Sequence, residues 1–277
     1  MRITEITDVK DGAQPRRRAP VLWPWGLVAA AWALAALAFL TNQSYLINHH
    51  YLLGESHLPV LVALVVFLAC WQVMTVGMML PSSMPMVYMI VYAGRQQRRP
   101  LAVPAAFLVA YGVVWTAFAL CAFLGDTRIH WLVDHWFWLY MHSWVIGATT
   151  FALAGAFQFS PLKRRCLKQC RSPFSFFLHY YRQGVGAAWR LGLRHGAFCL
   201  GCCWALMLVM FGIGVNSLLS MALLTGVMVA EKTAPFGQRL SPLIGIVLLG
   251  LAALCLALGR HWGLSSLREA NPCDSRQ

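Results

Sequence analysis

The chain has 277 residues, of which 59% are hydrophobic and only 11% are Asp, Glu, Lys or Arg. Soluble domains carry about 25% charged residues, so this composition excludes an ordinary soluble domain and predicts an integral membrane protein. The formal net charge of +13 suits contact with anionic lipid head groups. Nucleic acid is not an expected partner, because no basic and aromatic binding module is visible.

Seven apolar stretches predict an all-α, polytopic transmembrane helix bundle. They cover roughly 22–40, 58–80 with a continuation to 93, 101–124, 138–158, 196–213, 218–231 and 242–259. Each is long enough or nearly long enough to cross a bilayer as a helix, although the sixth is short and ends in a charge. We expect 1–20 to be a disordered cytoplasmic N-terminus, 21–260 to be the transmembrane domain with a cytoplasmic loop at 159–195, and 261–277 to be a polar tail.

The basic residues are distributed unequally between the two sides of this predicted bundle. With the N-terminus inside, 18 of the 22 Lys and Arg residues lie in cytoplasmic segments. Cytoplasmic loops of membrane proteins carry such an excess of Lys and Arg. The sequence therefore predicts an N-terminus inside, a C-terminus outside and a multi-pass protein of the bacterial cytoplasmic (inner) membrane, with the lipid bilayer as its first partner.

The second apolar stretch is rich in methionine and contains two prolines, Pro81 and Pro85. One helix from 58 to 93 would be about 54 Å long, against a hydrocarbon core of about 30 Å. Each proline removes a backbone hydrogen bond, so we expect this helix to break or kink there. We expect Ser82 and Ser83 to satisfy some of the freed carbonyls.

Thioethers beside such a break would suit Cu(I), and Met78 and Met79 are the nearest candidates. The alternative is a methionine-rich packing helix with a proline kink.

Two cysteines lie in the predicted cytoplasmic loop. Cys166 and Cys170 are four residues apart, so both thiols share one face if this segment is helical. Pro173 is expected to start an interfacial helix with basic and aromatic residues. A disulfide is not the default at a cytoplasmic boundary, because the cytosol keeps thiols reduced.

The next predicted helix opens with an imidazole and three thiols in the pattern H-x3-C-x2-C-C. At about 100° per residue, five of the side chains in and after this pattern fall in one stripe along the helix. They are His195, Cys199, Cys203, Met207 and Met210, and Cys202 lies beside the stripe. Soft ligands at this density indicate a transition metal, and together with the C-x3-C pair they could form a four-thiolate site. Packing of unpaired, adaptable side chains is the alternative.

Glu231 is the one acidic residue that we place inside or at the end of a predicted span. Ionisable residues at such positions are costly and usually functional. The adjacent Lys232 permits a second interpretation, in which both side chains extend into the lipid head groups.

Four segments carry a resemblance to a known family: 163–173, 192–207, 78–81 and 231–232. Together they resemble a bacterial family of unknown function that is labelled "predicted metal-binding integral membrane protein". The resemblance covers about 60–258 and implies metal binding, but neither a particular metal nor a reaction.

The functional hypothesis is binding of a soft transition metal, copper first and zinc second, for transport, storage or delivery to another membrane or metal-carrier protein. The candidate ligands are Cys166, Cys170, Cys199, Cys202, Cys203, His195, Met78, Met79 and Met207. A thiol-redox protein using the three cysteines of the H-x3-C-x2-C-C pattern is the first alternative, and a structural subunit of a larger membrane complex is the second. No catalytic acid–base pair, nucleophilic triad or phosphate-binding loop stands out, so we do not expect an enzyme.

Overall fold

The structure is a computed structural model that describes residues 22–41, 59–95, 97–142, 144–213 and 218–269. These residues are mostly helical and contain no strand, which confirms the predicted all-α class. The helices are α1 (Trp23–Leu40), α2 (Val60–Gly94), α3 (Ala102–His135), α4 (Phe137–Met141), α5 (Trp144–Gln158), α6 (Pro161–Arg171), α7 (Pro173–Tyr180), α8 (Val185–Ile213), α9 (Leu218–Thr233) and α10 (Gly237–Glu269).

Five of these helices are long and apolar enough to cross a membrane, namely α1, α2, α3, α8 and α10. A sixth span is possible if α5 and α6, which are bent by 65° relative to each other, are counted together. The described helices therefore give five or six candidate spans against the seven expected, and the number of spans stays a prediction. The reason is length: α5 has 15 residues and α9 has 16, which gives rises of about 23 and 24 Å against a core of about 30 Å.

Glycine permits the closest approaches between the helices. A methyl group at Gly192 of α8 would collide with the carbonyl oxygen of Phe107 in α3. A methyl group at Gly155 of α5 would lie 3.0 Å from the carbonyl oxygen of Gly245 in α10. Small residues at such crossings let helix backbones pack directly against each other. The two glycines therefore allow close packing of α8 on α3 and of α5 on α10.

The predicted loop at 159–195 is mostly helical. It contains α6, α7 and the first turns of α8, and α7 begins at Pro173 as expected. The side chain of Ser160 accepts a hydrogen bond from the backbone N–H of Leu162, which caps α6 just after the bend. At the other end of the chain, α10 continues through 261–269 of the predicted polar tail. The predicted N-terminal segment 1–20 lies outside the described residues.

The second helix does not break at its prolines. It is continuous over 35 residues, with Pro81 and Pro85 inside it, so the expected break is wrong, while a kink without a break stays a prediction. The carbonyl of Gly77, which loses its partner because Pro81 has no N–H, accepts a hydrogen bond of 3.2 Å from the indole Nε1 of Trp32 in α1. Ser82 does not serve this carbonyl and instead donates to the carbonyl of Met79 at 2.8 Å.

The replacement of the missing Pro81 N–H by the Trp32 indole N–H leads to a testable prediction. Trp32→Phe should destabilise the fold by about 1–3 kcal/mol, because it leaves the Gly77 carbonyl without a partner. Pro81→Ala restores the backbone N–H that would bond this carbonyl, so it should be more favourable in the Trp32→Phe background than in the wild-type chain. Thermal unfolding of the four proteins in detergent measures this coupling. Independent, additive effects of the two substitutions would contradict the proposed exchange of donors.

Candidate metal centre

One hydrophobic core between the long helices is unusually rich in sulfur. Its buried members include seven methionines and four cysteines: Met74, Met78, Met79, Met207, Met210, Met221, Met228, Cys166, Cys199, Cys202 and Cys203. The buried cysteines and methionines of α8 confirm the helical stripe that the sequence predicts. The two methionines of α9, Met221 and Met228, were not anticipated as part of the same core.

The first close sulfur pair joins α6 to α8. The Sγ atoms of Cys170 and Cys202 are 3.9 Å apart, and both cysteines are free thiols. An ion about 2.3 Å from each sulfur, a usual metal–thiolate length, would make an S–metal–S angle of about 115° at this separation. The two sulfurs are therefore close enough for one metal ion to contact both.

The second close sulfur pair joins α8 to α2. The Sγ atom of Cys203 lies 3.6 Å from the Sδ atom of Met79, and both residues are almost fully buried. The Cys203 thiol also contacts the carbonyl oxygen of Cys199 at 2.8 Å. A thiol beside a thioether is a donor set that suits Cu(I).

The third thiol of α8 faces polar groups from two other helices. The Sγ atom of Cys199 lies 3.0 Å from the hydroxyl of Tyr111 in α3 and 3.1 Å from the Nζ atom of Lys232 in α9. The same ammonium donates to the Oγ atom of Ser82 at 3.0 Å. Lys232 is only 6% exposed, which contradicts the interpretation that it extends into lipid head groups.

Glu231 belongs to a buried hydrogen-bond network that does not include the thiols. Its carboxylate is 2.8 Å from the Nζ atom of Lys163, with side chains 3% and 0% exposed. Ser241 donates to the same carboxylate at 2.9 Å, and Gln158 accepts from Lys163. The guanidinium of Arg171 donates to the Glu231 backbone carbonyl at 2.6 Å. This network ties α6 to α9 and α10.

The positive charges near the thiols exceed the negative ones. Glu231 is the one acidic residue in 135–268 of the sequence, and its carboxylate is paired with Lys163. Within the described ranges, no ion pair to a carboxylate is found for Lys232 or Arg171, whose partners are a thiol, a hydroxyl and backbone carbonyls. The surroundings of the sulfur pairs are therefore cationic.

The described residues do not show the predicted four-thiolate arrangement. Among the residues with described positions, no three or more His, Cys, Asp or Glu side chains are arranged to hold a metal ion. Consecutive residues on a helix point about 100° apart, so Cys202 faces α6 while Cys203 faces α2. Two-sulfur pairs replace the expected cluster.

The remaining predicted ligands belong to neither of these two sulfur pairs. The Sγ atom of Cys166 packs against Gly201, where an added methyl group would lie only 2.7 Å away. Met78 and Met207 are buried in the same core. His195 stacks on Tyr111 with ring centroids 5.8 Å apart, and its buried Nε2 atom has no hydrogen-bond partner in the described part of the chain.

A cavity of about 180 Å³ gives access to the first sulfur pair. Cys170 lies in its wall, which combines residues of α2, α6, α8 and α9. The polar lining residues are Ser82, Ser83, Arg171, His195, Lys232 and Thr233. Of the four residues in the two sulfur pairs, Cys170 is the one that lines this cavity.

Sequence reasoning missed Tyr111, Lys163 and the contact of Lys232 with Cys199. The scarcity of acidic residues in 135–268 is a signal for the Lys163–Glu231 ion pair. A buried Glu231 carboxylate needs a basic partner, and this segment has many basic residues. Nothing in the sequence distinguishes Tyr111 from the other aromatic residues of its helix.

The family model PpoB2, which is described as "Copper chaperone", matches residues 68–255 of the chain. The matched region contains both sulfur pairs, the cavity and the Lys163–Glu231 ion pair. No curated protein and no solved structure matches the chain.

Proposed function

Because the chain belongs to the PpoB2 copper chaperone family, we propose that it is a multi-pass membrane protein that binds Cu(I) on buried sulfur atoms and delivers it to another protein. The observation that carries this proposal is the 3.9 Å approach of Cys170 and Cys202 at the wall of a cavity. The second pair, Cys203 of α8 with Met79 of α2, shares α8 with the first pair and supplies a site to which the ion can move.

The two thiols and the thioether favour Cu(I) over Zn(II). Thiolates and thioethers are soft ligands that select Cu(I). Two thiolates and one Cu(I) ion carry a net charge of minus one, and the buried ammonium of Lys232 offsets that charge. A Zn(II) ion on the same two thiolates would leave the ammonium without a counter-charge, and the family description concerns copper, so we do not propose zinc.

The membrane part of the proposal rests on the five helices that are long and apolar enough to cross a bilayer. The excess of Lys and Arg in the segments around α6 and α7 supports an orientation with these helices on the cytoplasmic side. Reaction of Lys168→Cys with a membrane-impermeant maleimide checks this orientation. Lys168 is exposed on α6, so a cysteine there can react. Labelling is expected only after the cells are opened, because the proposed orientation places α6 on the cytoplasmic side.

Anaerobic titration of the purified protein with Cu(I) in competition with a chromophoric chelator tests the copper proposal. We expect at least one Cu(I) per chain to be withheld from the chelator. Transfer of that copper to a thiol-rich acceptor should follow when the acceptor is added. A protein that is folded and fully reduced but withholds no Cu(I) would overturn the proposal.

A thiol-redox protein is the second candidate, because the same sulfur approach favours disulfide formation between Cys170 and Cys202 under oxidising conditions. The two functions differ in a simple measurement. A redox protein should cycle between dithiol and disulfide with a thiol–disulfide partner while free of metal, whereas a copper chaperone should lose copper binding when these two thiols are oxidised.

A further inference from the structure

The cavity that leads to Cys170 has the wrong charge for a bare copper cation. Arg171 and Lys232 both line it, and Glu231, the nearest carboxylate in the sequence, is held by Lys163. A cation that approaches two positive side chains is repelled, whereas an anion is attracted. The cavity lining therefore fits a negatively charged form of the cargo.

One further lining group also suits an anion. The hydroxyls of Ser82 and Thr233 already donate to the backbone carbonyls of Met79 and Val229, so they are not the donors. The buried Nε2 atom of His195 has no hydrogen-bond partner among the described residues, and His195 belongs to the same wall. A volume of about 180 Å³ holds several non-hydrogen atoms and so admits a small thiolate ligand together with its metal ion.

On the basis of the proposed function, we infer that this cavity receives copper as an anionic complex of Cu(I) with two small thiolates, from which Cys170 and Cys202 take the ion by ligand exchange. In the first exchange a Cu–S bond to the Cys170 sulfur forms, one carrier Cu–S bond breaks, and the Cys170 proton passes to the departing thiolate. The second exchange repeats this at Cys202. Copper stays Cu(I) throughout, and the net charge of minus one is retained.

The experiment compares copper donors that differ in charge. Cu(I) is presented to the reduced, full-length protein in detergent as its bis-thiolate complex with 2-mercaptoethanesulfonate, which is strongly negative, or with cysteamine, which is positive. The initial rate of copper transfer is measured for each donor. The ratio of the rate with the negative donor to the rate with the positive donor is then compared between variants, so that intrinsic differences between the donors cancel. Arg171→Gln should lower the ratio about tenfold, since charged clefts change association rates by factors of this order or more.

Two matched variants test whether the effect of Arg171→Gln comes from the charge in the cavity, and not from a change in folding or in the total charge of the protein. Arg171→Lys keeps the positive charge in the cavity and should retain the wild-type ratio. Arg164→Gln removes one charge from the exposed face of the same helix and should also retain it. Because Arg171 also contacts backbone carbonyls of α9 and the following turn, a second measurement uses the wild-type protein alone. Its ratio should fall as salt is raised.

A ratio unchanged in Arg171→Gln and insensitive to salt would overturn the anionic-donor inference and leave the proposed function standing. Failure to take copper from either donor would instead contradict the proposed function itself.

Discussion

Replacing Cys202 by serine is expected to lower the affinity for Cu(I) by about 100-fold or more. Loss of supporting groups around a metal site already costs about 10- to 100-fold, and a thiolate that contacts the ion contributes more than they do. Cys170→Ser should have an effect of similar size, because one ion shared by two sulfurs 3.9 Å apart needs both. Competition against a Cu(I) chelator under anaerobic conditions measures both variants.

The matched control is Cys166→Ala, on the same helix as Cys170. Cys166 packs against Gly201 and is not part of either sulfur pair, so its loss should leave the Cu(I) affinity within about threefold of the wild-type value, as for a packing change near but outside a site. Cys255→Ser on α10 is a second control. Equal losses in Cys166→Ala and Cys170→Ser, with both proteins folded, would show that the Cys170–Cys202 pair is not the binding site.

Glu231→Ala is expected to destabilise the fold by about 3–5 kcal/mol, the usual consequence of removing one partner of a buried ion pair. The Lys163 ammonium would then remain buried without a counter-charge, because its carboxylate partner at 2.8 Å is removed. Ser241 would lose its acceptor at the same time. Thermal or denaturant unfolding of the detergent-solubilised protein measures the change.

Removing both charges distinguishes an unpaired charge from a general packing defect. The double variant Lys163→Met and Glu231→Met should recover most of the lost stability, since apolar replacement of a buried pair is often neutral or favourable. Arg164→Met, at an exposed position of the same helix, should change stability by less than about 0.5 kcal/mol. A double variant no more stable than Glu231→Ala would contradict an electrostatic cause.

Local features of the chain were predictable because they depend on neighbours in sequence. The stripe of His195, Cys199 and Cys203 is buried as the helical period requires, and α7 begins at Pro173 because proline is tolerated in the first turn. The number of spans stays a prediction, because hydropathy alone does not require a helix to be long enough to cross a bilayer. Both α5 and α9 have the right composition and too few residues.

The break expected at Pro81 failed for a reason that lies outside its own helix. Because Pro81 has no N–H, the Gly77 carbonyl loses its partner within the helix, and the compensating donor is Trp32, 45 residues earlier in the chain. A hydrogen bond between helices depends on their rotation and distance, and neither can be read from the pattern of a single helix.

By itself, the sequence determined an all-helical, apolar chain with a sulfur-rich helix, because hydropathy and the 3.6-residue period act locally. Only the tertiary structure decided that Cys170 rather than Cys166 meets Cys202, since both thiols are compatible with one face of α6 and the packing of α6 on α8 chooses between them. It also decided that Lys232 turns inward to Cys199. A buried ammonium requires partners on other helices, and the packing of α9 against α2 and α8 places them within reach.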